Sequence, residues 1–179
     1  MRTASGCLFH GVLFVMADNS AWVMGQRSDS IRCLLLPMAG CKLLLPSVSV
    51  AEVLPYASVK PERDAPEWML GMVEWRFVSL PLISFEVLAG ESCPEQGSSY
   101  RVAVFHTLSK DGGQDFYGVL MQGIPHIIQV RESELTLLQS KSGDEAVLSR
   151  VEVQGQLAVI PNLEIMEGHA NRYQVNQSP

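Results

Sequence analysis

The residue types that most often do chemistry are present in this chain, but their spacing does not group them. There is no C-x-x-C spacing and no nearby pair of histidines, so a zinc site is not predicted. The glycine-flanked nucleophilic serine and the glycine-rich phosphate loops are also missing from the sequence. We therefore predict a protein that is not an enzyme, with no metal and no cofactor. The four cysteines are expected to be reduced and buried, and two of the four histidines to be structural: Cys7, Cys33, Cys41, Cys93, His106 and His126.

Composition excludes two further classes of function. Hydrophobic residues make up 47% of the chain and charged residues 18%, which is enough apolar material for a packed core. The net charge is −6, and lysine and arginine do not cluster, so nucleic acid is not a predicted partner. The apolar runs, including the one near the N-terminus, are too short to cross a bilayer, and no direct membrane insertion is predicted.

Residues 1–30 allow two interpretations. Arg2 followed by the apolar run Cys7–Val15 resembles a signal peptide, with Val15–Ala17 as its cleavage site. Alternatively, Met16 is the true start, and the residues before it are spurious or disordered. We expect a flexible or spurious extension over 1–30, one folded domain over 31–167 and a polar tail over 168–179.

Short alternating segments separated by glycine and proline predict an all-β barrel or sandwich. Hairpins are predicted for Arg32–Leu36 with Lys42–Leu45, and for Val151–Val153 with Leu157–Ile160. Only short helices are expected, and they are predicted at 67–70, 85–89, 132–138 and 163–166, the last capped by Asn162. Polar turns are predicted at 110–114 and 139–145.

The segment from Gly71 to Gly90 predicts two strands, with Arg76 in the alternating part of the first. A second alternating strand runs from Val48 to Val53, and it would place Val48, Val50 and Glu52 on one face. Glu52 and Arg76 interrupt apolar surroundings. Either both side chains simply face water, or they orient a protein partner, since arginine and aromatic residues are enriched at interface hot spots.

These segments, taken in order, resemble the CheW family of chemotaxis coupling proteins. The resemblance rests on Val50-Ala51-Glu52-Val53, on Gly71, Arg76, Pro81 and Leu82-Ile83 at matching offsets, on Phe116–Met121, and on Val153–Leu163. It implies a CheW-like fold of two intertwined five-stranded SH3-like barrels with short helices. It also implies a cytoplasmic adaptor without catalysis, which bridges methyl-accepting receptors to the regulatory domain of a CheA-type histidine kinase.

The same resemblance implies the binding residues. A helix of the receptor tip would lie in the groove between the barrels, lined by Val48, Val50 and Arg76, and the related barrel of the kinase would cover an apolar patch of about 1,000 Å² or less. The protein-binding residues carried over or lining that groove are Val48, Val50, Glu52, Gly71, Arg76 and Gly118. Three positions depart from the family pattern, where Phe77 replaces a glycine and Ser84 and Gln122 replace aspartates.

Two short sequences, Glu74-Trp75-Arg76 and Leu82–Glu86, are similar to those of the Chp-type CheW-like proteins that control type IV pili and twitching motility. Other functions stay open at this point. They are a periplasmic or secreted β-barrel ligand-binding module, a hydrolase using scattered cysteine and histidine, and a soluble β domain of another role.

Overall fold

The computed structural model describes residues 30–56, 59–94, 99–108, 115–138 and 145–175. Within these residues the chain forms eleven strands, two α-helices and two 3-10 turns. The strands are β1 (Ser30–Pro37), β2 (Lys42–Pro46), β3 (Val50–Pro55), β4 (Met69–Trp75), β5 (Val78–Ile83), β6 (Tyr100–His106), β7 (Phe116–Gln122), β8 (His126–Arg131), β9 (Leu135–Leu138), β10 (Val147–Val153) and β11 (Gln156–Pro161). The helices are α1 (Phe85–Leu88) and α2 (Leu163–Val175), and the turns are Ser47–Ser49 and Glu132–Glu134.

The strands form two sheets that share the chain unequally. Sheet A has the order β8-β1-β2-β11-β10-β9, and sheet B has the order β3-β6-β7-β5-β4. Sheet A therefore combines the first two strands with the last four, while sheet B holds the five strands between them. This confirms the predicted all-β fold with intertwined halves, and sheet A has one strand more than the five expected.

Each sheet closes because the chain that leaves one edge strand reaches the other edge. In sheet B, Lys60 follows β3 and exchanges two backbone hydrogen bonds with Met72 of β4, at 3.2 and 3.0 Å. In sheet A, β8 continues through the turn Glu132–Glu134 directly into β9, which pairs with β10. We call the two closed sheets barrel A and barrel B.

Apolar residues fill three clusters, one inside each barrel and one shared between the barrels. The apolar run of β1 is continuous because both faces of this strand are covered. Cys33 and Leu35 face the interior of barrel A, whereas Leu34 and Leu36 pack in the shared core. A strand that is covered on both faces needs apolar residues at successive positions, not at alternate ones.

Helix α2 joins the barrels at the end of the chain. The side-chain oxygen of Asn162 accepts a hydrogen bond from the first turn at 3.4 Å, as the predicted N-cap should. Met166 and Ala170, one turn apart, are buried in the shared core. The helix continues to Val175, well past Gly168, where the sequence predicts a polar tail.

Two of the predicted helices are wrong in whole or in part. Met69 already belongs to β4. The residues before it make a tight turn, which the backbone N–H of Met69 closes by donating to the carbonyl oxygen of Pro66. Only Glu132–Glu134 is helical in the segment 132–138, because Leu135 begins β9. The predictions for residues 1–29, the turn 110–114 and most of the turn 139–145 lie outside the described residues. No helix in the described part of the chain is long and apolar enough to cross a membrane.

Candidate protein-interaction site

The candidate site is centred on the turn between β4 and β5, where Arg76 and Phe77 form a two-residue hairpin loop. Both residues have positive φ, 46° for Arg76 and 67° for Phe77, as in a type I′ turn. The prediction that Arg76 lies in an alternating strand is therefore wrong. β4 ends at Trp75, and Arg76 stands at the tip of the hairpin, with its side chain 70% exposed.

The carboxylate of Glu52 connects this tip to the opposite edge of barrel B. Its Oε2 atom accepts hydrogen bonds from the indole Nε1 of Trp75 and from the guanidinium of Arg76, each at 2.9 Å. The Trp75 ring is buried and packs edge-on against Phe116, with ring centroids 4.7 Å apart. The Arg76 guanidinium lies over the same indole, 4.9 Å from the ring centroid. Four side chains thus hold the tip in one position.

The energies of these contacts differ. Arg76 is largely exposed and Glu52 partly so, and an ion pair open to water in this way contributes only about 0–1 kcal/mol to stability. The indole N–H is buried with Trp75, and losing its acceptor would cost about 1–3 kcal/mol. Glu52 therefore stabilises the barrel mainly through Trp75, while most of the Arg76 side chain stays accessible to a partner.

A bulge decides which way Glu52 points. Val50 pairs with Phe105 and Glu52 pairs with Val104, so two steps along β3 correspond to one step along β6. Phe105 belongs to the shared core and Val104 to the interior of barrel B. Val50 and Glu52 consequently lie on opposite faces, and the prediction of a common face is wrong.

Val48 is not a strand residue either. It lies in the 3-10 turn Ser47–Ser49 that follows Pro46, and its side chain is 81% exposed. Val50, the first residue of β3, is half-buried against the shared core. The two valines are close in sequence but occupy different environments, because the turn between β2 and β3 breaks the alternation that the sequence suggests.

The two glycines of the predicted site are explained by packing. Gly71 has φ 133°, and a Cβ atom there would lie 2.3 Å from the carbonyl oxygen of Lys60, at the point where barrel B closes. Gly118 is buried in β7, where a Cβ atom would lie 3.1 Å from Leu82 and from Val102. Neither residue offers a side chain to a partner, and a contribution of either to binding stays a prediction.

The departures at Ser84 and Gln122 have local hydrogen-bond partners. Ser84 is fully buried and caps α1, accepting from the backbone N–H of Val87 and donating to the Glu86 carboxylate at 2.9 Å. The other oxygen of Glu86 accepts the N–H of Ala39 at 3.1 Å, which ties α1 to the β1–β2 hairpin. An aspartate at position 84 would place two carboxylates together, so serine suits a chain with a buried Glu86.

The amide of Gln122 donates to the Tyr100 hydroxyl at 2.9 Å.

Among the described residues, those that could do chemistry stay apart in the fold. His106 and His126 are exposed, and His106 lies beside Phe116, whereas His169 is on α2. Cys33, Cys41 and Cys93 are free thiols, but only Cys33 is buried, so the expectation of buried cysteines is wrong for Cys93. Burial, and then Glu86 and Glu91, raise the pKa of Cys41 to about 11. Within the described residues, no group of three histidine, cysteine or acidic side chains could hold a metal ion.

Comparison with known proteins then decides the family. The sequence model of the CheW-like domain matches residues 32–167. The chain belongs to the CheW-like domain family. This CheW-like chain is also similar in structure to the scaffolding protein TtCheW from Thermoanaerobacter tengcongensis, with a TM-score of 0.64 and 17% identity, over 76% of this chain and 91% of that chain. No curated protein sequence matches the chain.

Family membership confirms the resemblance drawn from the sequence, and the structural match supports the CheW-like fold. CheW-like proteins are non-catalytic scaffolds, which confirms the prediction that the chain is not an enzyme. The hydrolase alternative is excluded on the same ground. The strongest signals in the sequence were Gly71, Arg76 and Leu82-Ile83. Trp75 and Phe116 were not predicted as parts of the site, although an aromatic residue before a hairpin tip is a signal worth following.

Proposed function

We propose that this CheW-like protein is a cytoplasmic chemosensory adaptor that couples methyl-accepting receptors to a CheA-type histidine kinase. The observation that carries the proposal is the arrangement of Glu52, Trp75 and Arg76 at one hairpin tip. An ion pair that adds little stability is fixed there by a buried indole, on a scaffold family that performs no catalysis. Fixing a guanidinium in this way prepares it for a partner with little further loss of conformational entropy.

The receptor side of the proposal uses Val48, Val50 and Arg76. The helical hairpin tip of a receptor would contact Val48 and Arg76, both largely exposed, and the half-buried Val50. Arginine offers five N–H donors, and its accessible face can bind carboxylate or carbonyl oxygens of a helix. Gly71 and Gly118 support this surface indirectly, since they permit the closure and packing of barrel B.

The kinase side of the proposal uses barrel A. Several large apolar side chains on its strands are exposed, and they are Ile31, Ile127, Leu137, Leu148 and Leu157. Exposed apolar residues on a sheet can cover a related barrel of a partner, as is common for interaction surfaces. A contact of about 1,000 Å² or less suits a transient signalling assembly. The two proposed partners would thus use different barrels.

We also propose the narrower assignment to the Chp type, which would place the adaptor in a system that regulates type IV pili and twitching motility. The support for this assignment is the amino-acid sequence around Trp75 and from Leu82 to Glu86. In the second segment, Ser84 and Glu86 form a matched buried pair, so the two residues are expected to change together.

A binding assay tests the proposal. Receptor hairpin fragments and CheA-type regulatory domains from the source organism, taken from both pilus-linked and flagellar systems, are titrated against the wild type and Arg76→Glu. We expect Arg76→Glu to weaken receptor binding at least about tenfold, as for a hot-spot residue, because it places two acidic groups side by side at the tip.

The matched control is Arg131→Glu, which breaks a comparable exposed ion pair with Glu134 in barrel A. It should leave receptor binding unchanged. Tightest binding to pilus-linked fragments would support the Chp assignment. Unchanged binding of Arg76→Glu to both partners would contradict the role of Arg76, and a wild type that binds neither partner would contradict the adaptor function.

A further inference from the structure

Phe77 is placed where its side chain stabilises nothing within the described fold. Its side chain is fully exposed, and the neighbouring Val78 is 45% exposed. Large apolar side chains gain free energy from burial, and Phe77 obtains none at this tip.

The backbone at Phe77 adds a second cost. With φ at 67°, Phe77 occupies the left-handed region that glycine adopts freely and that bulky residues adopt only with strain. The equivalent position in hairpin β10–β11 is Gly155, with φ 73°. The same turn can therefore be built with glycine in this molecule, and folding alone does not explain an aromatic residue at position 77.

From these observations we infer that Phe77 is an apolar anchor that determines partner specificity, inserting into a hole on the outer surface of a helix of the receptor hairpin. This inference rests on the proposed adaptor function. A single convex aromatic side chain needs a concave apolar receiver, and the surface of a helix offers holes formed by four side chains each. The tip is a poor site for strand pairing, since a two-residue turn has no free backbone edge.

The chemistry beside Phe77 narrows the partner further. The Arg76 guanidinium, which lies next to it in the chain, donates to Glu52 and has further exposed N–H donors that a partner can accept. We therefore infer a receptor helix that carries an acidic side chain within one turn of the apolar hole. The pair of Arg76 and Phe77 combines the two residue types, arginine and aromatic, that dominate binding energy at protein interfaces.

The test compares Phe77→Gly with the wild type in titrations against receptor hairpin fragments. Phe77→Gly should bind at least tenfold more weakly while its melting temperature rises by about 2–4 °C, because the strain is removed. A loss of binding in a more stable protein cannot be caused by unfolding. Phe77→Leu, which keeps an apolar anchor, should retain most of the affinity.

Ile124→Ser is the control for loss of an exposed apolar residue elsewhere, since Ile124 is 70% exposed in the loop between β7 and β8. It should bind the hairpin fragments as the wild type does. If Phe77→Gly also binds as the wild type does while Arg76→Glu does not, the inference about Phe77 is overturned and the adaptor function stands. A wild type that binds no receptor fragment overturns both.

Discussion

Hairpin β4–β5 turns through Arg76 and Phe77, and hairpin β10–β11 turns through Gln154 and Gly155; all four residues have positive φ. Each tip also reaches the far edge of its own sheet. Arg76 donates to Glu52 on β3, and the side-chain amide of Gln154 donates to the carbonyl oxygen of Gln129 on β8, at 3.0 Å. The two barrels therefore use the same device to hold a hairpin in place.

The two tips differ in chemistry. In barrel A the contact joins a neutral amide to a backbone carbonyl, and glycine takes the second turn position without strain. In barrel B a guanidinium, a carboxylate and a buried indole make the contact, and phenylalanine takes the strained position. The comparison teaches that a neutral side-chain contact and a glycine, as in hairpin β10–β11, are enough to build such a tip. The additional charge and apolar surface at the tip of hairpin β4–β5 indicate a role outside folding.

The largest expected effect comes from a substitution at the point where barrel B closes, which we compare with one in the open turn of hairpin β10–β11. Gly71→Ala should destabilise the protein by about 3–5 kcal/mol, the sum of backbone strain and overpacking. The new Cβ atom would meet the Lys60 carbonyl, which cannot retreat without losing its hydrogen bond to Met72. Urea denaturation measures the change.

Gly155→Ala is the matched variant, because nothing lies within 4 Å of a Cβ atom at that position. It should cost only about 1 kcal/mol, from its positive φ alone. Equal losses in the two variants would mean that barrel B does not close against Lys60.

A smaller effect is expected for the side-chain contacts that hold each hairpin tip to the far edge of its own sheet. Glu52→Ala should destabilise the protein by about 2 kcal/mol, because it leaves the buried indole N–H of Trp75 without an acceptor. Gln154→Ala removes only an exposed contact and should change stability by less than about 0.5 kcal/mol. Thermal and urea unfolding of both variants give the comparison.

Glu52→Gln distinguishes the two donors to Glu52. The amide oxygen can still accept from Trp75, although the ion pair with Arg76 is lost, so most of the stability should return. If Glu52→Gln is as unstable as Glu52→Ala, then the ion pair, and not the indole, stabilises the tip.

The smallest effect concerns α2, which follows barrel A in the chain but contacts the turn before β4. The His169 ring packs edge-on against Trp68, with centroids 4.9 Å apart. Burial, and then the guanidinium of Arg172, lower the pKa of His169 below its ordinary 6.5, while Glu145 opposes the shift. At pH values between the lowered pKa and 6.5, His169 binds more protons in the unfolded chain than in the folded one. Its contribution to stability is therefore fully present above pH 6.5 and is lost as the pH decreases through that window.

Melting temperatures measured between pH 7.5 and 5 test this sign. The wild type should lose about 2 °C or less beyond the loss shown by His169→Gln, which does not titrate there. An excess loss in the variant would show that protonated His169 is favoured in the folded state.

Local pattern was sufficient for most strands. The leucine runs of β1 and β2, the alternation in β6 and the turn residues between β10 and β11 each predicted their element, since strand and turn preferences act over a few residues. The pattern failed at Val48 and at Glu67–Leu70. In the first case a 3-10 turn replaced the strand, and in the second the pairing of β4 with β5 drew Met69 into a sheet.

The sequence by itself determined the all-β class, the family resemblance, and the candidate residues Glu52 and Arg76. Only the tertiary structure decided how these two residues meet. Their positions lie on opposite edges of sheet B, and the bulge at Val50 turns Glu52 toward Trp75. It also showed that Phe77 is a strained and exposed tip residue. The physical reason is that barrel closure joins residues far apart in the chain, and periodicity along one strand carries no information about which distant strand it will face.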